Sequence, residues 1–233
     1  MGSQSRPFSA VLLFDIDGTL LRRAGPQHRQ ALVSAVRHVT GVETSNDQIA
    51  TQGMLDRDIL KLMMLNVGMK LKHIAIAMPA IIAFAQWEYQ STCPNLRRKV
   101  CPGVRQFLGT LHKRNTVAGL VTGNLTGIGW RKMESAGLRE HFQFGAFAEQ
   151  GGDRAALVRV ALRQAKMQGY YTRQTPVALI GDHPNDVNAA KKNGVRAVAV
   201  TTGLTSREEL SSHNPHVVVD NLNSLDWGKL FLK

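Results

Sequence analysis

The stretch "VLLFDIDGTLL", residues 11–21, is an apolar run that ends in two aspartates one residue apart, Asp15 and Asp17, followed by Gly18 and Thr19. A short run without polar alternation fits a strand buried on both faces, as in parallel sheets covered by helices. Such a strand releases its carboxylates only where it stops. In open α/β sheets ligands bind beyond the carboxyl ends of the strands.

Working outward, strands are predicted over Ala10–Asp15, Val117–Thr122, Pro176–Asp182 and Ala197–Thr201, with a weaker one over His216–Val219. Helical spacing fills Gly103–Asn115, Thr126–Ala136, Asp153–Gln168 and Pro184–Asn193. This alternation predicts an α/β fold, a Rossmann-like parallel sheet flanked by helices. From Arg22 to about Asn95, after the first strand, lie about 70 residues without a convincing strand, too long for a loop in a compact domain. They read as helices over Gln27–Val39, Asn46–Asn66 and Leu71–Ser91. The expected organisation is a core domain of residues 1–21 and 96–233 with a helical cap domain, 22–95, inserted after the first strand. The Met-rich "KLMMLNVGM" in that insert reads as core filler.

The strand ends form a pattern. The first delivers Asp15 and Asp17, "LVTGN" delivers Thr122, Gly123 and Asn124, and "GDHPNDV" delivers Asp182 and Asp186. Four carboxylates on one rim repel one another unless a cation sits among them. Hard oxygen donors of this kind suit Mg²⁺.

Bulk properties narrow the partners. The 233 residues carry a formal charge of +12, but the basic residues (Arg22, Arg23, Arg97 to Lys99, Lys113, Arg114, Lys191, Lys192) are scattered and no nucleic-acid-binding motif accompanies them. This argues against nucleic acid as partner and for attraction of small anions. Cys93 and Cys101 lack metal-like spacing and read as reduced thiols. Met1-Gly2 with Arg6 fails the myristoylation pattern, and no secretory signal is visible. The longest apolar stretch, "IAIAMPAIIAFAQW", is too short for a membrane span and contains Pro79. The expectation is a soluble cytoplasmic protein. Oligomeric state is not written in this pattern.

Taken together, the motifs resemble those of the haloacid dehalogenase superfamily over nearly the full length. "DIDGTL" resembles its first motif, "LVTGN" its second and "GDHPNDV" its fourth; the insert sits where the family carries a C1 cap. "GMLDRDIL" resembles the cap's substrate loop, with Leu55 in place of threonine. The family's third motif is a lysine, and none stands at the matching place. Arg154, opening "DRAALVRVALRQAK", fits that position; Lys132 in "RKMESAGL" is the second candidate.

The resemblance implies a phosphatase of the phosphoglycolate-phosphatase-like kind, acting on a small phosphorylated metabolite. Asp15 would be the nucleophile. Asp17 would be the general acid and base, holding a proton that burial and Asp15 favour. Mg²⁺ would be held by Asp15, Asp182, Asp186 and the main-chain carbonyl of Asp17. Gly18, Thr122, Gly123, Asn124 and Arg154 would receive the phosphate, and Gly53 and Asp56, with Arg57 a weaker candidate, the rest of the substrate. Asp17 argues against dehalogenases, whose leaving halide needs no proton. Asp56 stands where β-phosphoglucomutases carry arginine, so a phosphomutase is the alternative within the family. A non-catalytic protein binding nucleic acid or another polyanion is the alternative from another class.

Overall fold

The computed structural model describes residues 8–22 and 25–231. Met1, Gly2, Arg6 and Arg23 lie outside the described residues.

The opening strand, β1 (Ala10–Phe14), is buried throughout. Its alternate residues feed two cores. Val11 and Leu13 pack into the cluster on one face of the sheet, Leu12 and Phe14 into the cluster on the other. A strand covered on both faces has no side that tolerates polar residues, which is why the run is unbroken.

Among the described residues one six-stranded sheet forms, in the order β3-β2-β1-β4-β5-β6 and parallel throughout. The other strands are β2 (Thr116–Val121), β3 (Phe142–Ala146), β4 (Val177–Gly181), β5 (Arg196–Val200) and β6 (Val217–Val219). The helices are α1 (Gln27–Thr40), α2 (Asp56–Asn66), α3 (Leu71–Thr92), α4 (Val104–Leu111), α5 (Thr126–Ala136), α6 (Arg154–Met167), α7 (Pro184–Lys192), α8 (Arg207–Ser212) and α9 (Trp227–Leu230). From β1 the chain builds outward to β2 and β3, then crosses back to build β4, β5 and β6 on the other side. The reversal sits between β1 and β4, the place where open sheets leave a crevice. Phe14 is level with Leu120 of β2 and Ile180 of β4, so the residues that follow these three strands share one rim.

The helices α1, α2 and α3 fill the interval between β1 and α4, and their buried residues, among them Leu32, Leu60, Ile81 and Tyr89, are continuous with the core on one face of the sheet. The chain leaves for these helices and returns from them along paired segments. Leu21 and Val100 form an antiparallel bridge, Arg22 N donates to Lys99 O at 2.8 Å, and Cys101 N donates to Leu20 O at 2.9 Å.

Three expectations need correction. The helix expected over Asn46–Asn66 begins only at Asp56. Leu55 is extended and Gly53 has φ +65°, so residues 46–55 form a loop, while Asp56 and Asp58 supply the acidic first turn that a helix N-terminus favours. The strand β3 was not expected, because Gln143, which is exposed, and Gly145, which is buried, interrupt its apolar run. The helix expected over Gly103–Asn115 stops at Leu111 and tightens into a 3₁₀ turn at His112–Arg114. Among the described residues no helix is long and apolar enough to cross a membrane.

Candidate active site

Asp15 follows β1 directly and is buried, anchored by its own amide donating to Ile180 O at 3.0 Å. Asp182 and Asp186 arrive from the end of β4 and the first turn of α7. The carboxylate oxygens of Asp15, Asp182 and Asp186 lie within 4.8 Å of one another. Burial and mutual repulsion are legible in their proton affinities. Burial lifts Asp15 from 3.8 to about 7; Arg154 works against that lift, and Asp186 and Asp17 add to it. Burial also pushes Asp182 well above the carboxylate range, with Asp15 and Asp186 adding. Asp186 is raised by burial too, against the pull of Arg154.

Arg154, the first residue of α6, runs through the middle of this cluster. Its Nη1 donates to Asp15 Oδ1 at 3.1 Å, and its Nε stands 3.2 Å from Asp186 Oδ1. The second contact is an ion pair without hydrogen-bond alignment, so Nε and Oδ1 both remain buried without a hydrogen-bond partner. A buried carboxylate oxygen left in that state, beside two more carboxylates, is a donor set that fits a hard divalent cation. Burial opposes the charge on Arg154, but Asp15, Asp186, Asp182 and Asp17 outweigh it and hold the guanidinium above its ordinary value.

Gly18 makes the approach of Asp182 possible. Its φ is +88°, and a Cβ there would lie 2.1 Å from Asp182 Oδ2. Gly203 is as close on the other side, where a Cβ would meet the same oxygen at 1.8 Å. Thr19 Oγ1 donates to Asp182 Oδ1 at 2.9 Å, and Thr202 Oγ1 to Gly18 O at 2.5 Å. A methyl group at either glycine would displace a carboxylate of the cluster.

Asp17 has a different environment. Lys132 of α5, fully buried, places Nζ 2.8 and 2.6 Å from its two oxygens. Asn124 Nδ2 donates to Asp17 Oδ2 at 2.8 Å. Partial burial favours the protonated form of Asp17, but Lys132, His28 and Asn124 prevail and hold its carboxyl below the ordinary value. The expectation that burial and Asp15 would raise it is therefore corrected: the nearest charge is a lysine that the sequence reading weighed for another role.

The residues after β2 are committed to this network. Thr122 is buried, and its hydroxyl accepts from Asn124 Nδ2 at 2.7 Å. The two amide hydrogens of Asn124 thus go to Asp17 and Thr122, and its Oδ1 accepts from Lys132 at 2.7 Å. Asn124 positions other side chains here, with both hydrogens of its side-chain amide engaged.

The loop before α2 closes over the rim. A Cβ on Gly53 would lie 2.2 Å from His183 Nδ1, and one on Gly123 would lie 2.2 Å from Met54 O. Asp56 is buried, with Oδ2 accepting from Leu125 N at 2.8 Å and 2.9 Å from His28 Nε2; its own amide donates to Gly123 O at 2.7 Å. Asp56, expected on the substrate side, is thus a clamp between α2 and the segment after β2. His28 Nδ1 is 3.2 Å from Lys132 Nζ, so a polar chain runs from Asp17 through Lys132 and His28 to Asp56. His28 was missed in the sequence. Its signal was there, since it precedes Ala31, Leu32 and Ala35 on the buried face of α1. Arg57 is half-buried and takes no part in the contacts just described.

The cluster opens into a cavity of about 920 Å³, lined by residues of the rim, the loop and α1. Residues 12–200 match the family model described as haloacid dehalogenase-like hydrolase.

The chain belongs to the haloacid dehalogenase-like hydrolase family. It is 25% identical over 228 residues to a phosphoglycolate phosphatase from Pseudomonas fluorescens, covering 94% of this chain and 79% of that protein. To one from Vibrio parahaemolyticus it is 24% identical over 220 residues, covering 92% and 93%. In fold it is similar to a β-phosphoglucomutase from Clostridium difficile, with TM-score 0.68 at 17% identity, covering 95% and 94%. A hydrolase from Pseudomonas syringae gives TM-score 0.64 at 20% identity, covering 91% and 94%. Within this family framework Arg154 stands at the cluster where a third-motif lysine was expected, and Lys132 stands at the neighbouring aspartate.

Proposed function

We propose that this hydrolase is a Mg²⁺-dependent phosphatase that cleaves a small phosphate monoester through an aspartyl-phosphate on Asp15. The observation that carries the reading is the pairing of two aspartates in opposite settings. Asp15 lies beside Arg154 within the carboxylate cluster, and Asp17, two residues on, is tied to Lys132 and Asn124 outside it.

Asp15 Oδ attacks phosphorus while the ester P–O bond breaks and the leaving oxygen takes a proton from Asp17. For this step Asp17 must be protonated, and the phosphate dianion arriving beside it raises its proton affinity against the hold of Lys132. Water then attacks phosphorus and gives its proton to Asp17, the Asp15–phosphate bond breaks, and inorganic phosphate leaves. Arg154, Thr122 and the Gly123 amide bind the phosphoryl oxygens, and Gly18 leaves room for them. Asp15, Asp182, Asp186 and the Asp17 carbonyl would hold Mg²⁺, which supplies positive charge against the phosphoryl oxygens.

Residues 22–95 act in this reading as a cap over the core of 1–21 and 96–233, keeping water from the first half-reaction. Gly53 and Asp56 serve the substrate side by fixing the cap loop. The phosphomutase alternative is disfavoured by Asp56, an acid engaged with Leu125 and His28 where that class would carry arginine. The free thiols Cys93 and Cys101 support a cytoplasmic setting.

The test is hydrolysis of p-nitrophenyl phosphate with and without Mg²⁺. Turnover is expected only with the metal, and Asp15→Asn is expected to abolish it. Turnover retained by Asp15→Asn would remove Asp15 from the nucleophile role.

A further inference from the structure

The cavity over Asp15 is large for a two-carbon phosphate. At about 920 Å³ it is close to the upper end of the roughly 300–1,000 Å³ that encloses drug-sized ligands. Its charge is also divided. The floor carries Asp15, Asp17 and Asp182, with Lys132 and Arg154 bound to two of these carboxylates. Elsewhere the wall carries Arg22, Arg98 and Lys99.

These three cations sit on the two segments that join the core to α1 and α3. Arg22 N donates to Lys99 O at 2.8 Å, beside the bridge between Leu21 and Val100, so Arg22 and Lys99 are held side by side by backbone bonds. Arg98 and Lys99 share one 3₁₀ turn, Arg97–Lys99. All three side chains are exposed, and among the described residues none forms an ion pair with a carboxylate. Arg29 also lines the cavity, but Asp47 pairs with it. Three like charges on the wall of one cavity without a carboxylate partner repel one another, and an anion bound there relieves that repulsion.

We infer that Arg22, Arg98 and Lys99 form a second anion subsite, and that the substrate is a phosphate monoester whose leaving group carries a second phosphate. Two guanidinium forks and an ammonium suit a dianionic phosphate, which accepts several charge-assisted hydrogen bonds at once. The size of the cavity leaves room for a sugar-sized body between the two phosphates. Because the subsite lies on the paired segments through which α1 and α3 join the core, its occupant also bridges those two segments.

This inference rests on the phosphatase reading, and the experiment separates the two. With p-nitrophenyl phosphate as reference, kcat and KM are measured for a hexose 1,6-bisphosphate, a hexose 1-phosphate and a hexose 6-phosphate. The wild type is expected to favour the bisphosphate by about tenfold to a hundredfold in kcat/KM, through KM, as fits one or two charge-assisted bonds. In the combined variant Arg22→Gln, Arg98→Gln, Lys99→Gln that ratio is expected to fall to near unity, while Arg98→Lys retains part of it. Circular dichroism and the unfolding temperature establish that the variant is folded. A wild type that treats bisphosphate and monophosphates alike overturns the subsite, as does a preference that survives in the folded variant. If the wild type hydrolyses none of the four compounds with Mg²⁺ present, the phosphatase reading fails and the subsite falls with it.

Discussion

Lys132 Nζ lies 2.8 Å from one carboxylate oxygen of Asp17 and 2.6 Å from the other, with Asn124 Oδ1 2.7 Å away. The lysine is buried, whereas the aspartate side chain is 39% exposed. The two members of the pair therefore depend on it unequally. Water can compensate Asp17 for a lost partner but cannot reach Lys132.

Asp17→Asn is accordingly expected to cost more stability than Lys132→Met. The first leaves a buried ammonium without its carboxylate partner, a loss of about 1–3 kcal/mol. The second replaces the lysine with an apolar chain of similar length, leaves Asp17 to solvent and takes the donor from Asn124 Oδ1, for a loss of about 1 kcal/mol. Urea unfolding of both variants measures the difference. In activity Asp17→Asn is expected to fail on alkyl phosphates, whose leaving oxygen needs a proton. By contrast, Lys132→Met keeps the carboxyl, frees it from the cation that lowers its proton affinity, and is expected to retain more. Lys132→Met, which keeps a carboxyl at position 17, is expected to lose less on p-nitrophenyl phosphate, whose leaving group needs little protonation.

Arg154 bridges Asp15 and Asp186, all three buried. Removing one partner of a buried ionic group costs about 3–5 kcal/mol, so Arg154→Ala is expected to be strongly destabilised when metal is absent. The bound cation would compensate part of that charge, so added Mg²⁺ should restore more stability to Arg154→Ala than to the wild type. Arg154→Lys is expected to keep the contact to Asp15 and lose the one to Asp186, because its donors all sit on one terminal nitrogen and cannot span the two places that Nη1 and Nε reach. Thermal unfolding with EDTA and with Mg²⁺ checks both variants. Equal metal effects in wild type and Arg154→Ala would show that the guanidinium and the cation do not share the cluster.

Gly18 and Gly53 separate the two halves of the site. A Cβ on Gly18 would lie 2.1 Å from Asp182 Oδ2, and a Cβ on Gly53 2.2 Å from His183 Nδ1; both positions have positive φ. Each alanine substitution is expected to cost about 1–2 kcal/mol for the backbone alone. Their effects on function should differ. Gly18→Ala displaces a carboxylate of the cluster and should weaken Mg²⁺ dependence and kcat together. Gly53→Ala loosens the loop against His183 and should raise KM first. Steady-state kinetics against Mg²⁺ concentration tell the two patterns apart.

How much of this was legible in the sequence depended on whether a residue's role was local. Asp15, Thr122 and Asp182 could be read because an apolar strand stops where they begin, and the parallel sheet then aligns the stops. Strand β3 was not legible, because Gln143 and Gly145 weaken its apolar run and its place beside β2 comes from tertiary pairing. The stripe Ile128, Lys132, Ala136 marked the lysine as lying on a buried helix face, but not that Asp17 would meet it there. Gly203 and Thr202 carried no signal, since their closeness to Asp182 and Gly18 depends on how the loop after β5 returns over the rim. Asp56 showed as a cap residue. Its engagement with Leu125 and His28 became visible only once the insert was docked.

The carboxylate cluster predicts a pH dependence of the metal-free protein with an unusual sign. Asp15 has its affinity for protons raised from 3.8 to about 7 by burial, with Asp186 and Asp17 adding and Arg154 opposing. A group whose folded pKa is raised binds more protons folded than unfolded between those two values, so stability falls as pH rises through that window. Asp182 and Asp186 are shifted in the same direction and strengthen the trend. Asp17, whose carboxyl is lowered, contributes in the opposite sense, and only at the acidic end, as pH falls through its folded value. In EDTA the unfolding temperature is therefore expected to decline from about pH 5 to pH 7, at constant ionic strength. With saturating Mg²⁺ the decline should vanish, because the cation favours the ionised carboxylates and releases the protons they would otherwise hold. The stabilisation by Mg²⁺ should then be larger at pH 7 than at pH 5, and scanning calorimetry at the two values measures it. A metal-free stability that instead rises from pH 5 to pH 7 would mean that these carboxylates are not held protonated by their burial, and that Arg154 alone is enough to keep Asp15 charged.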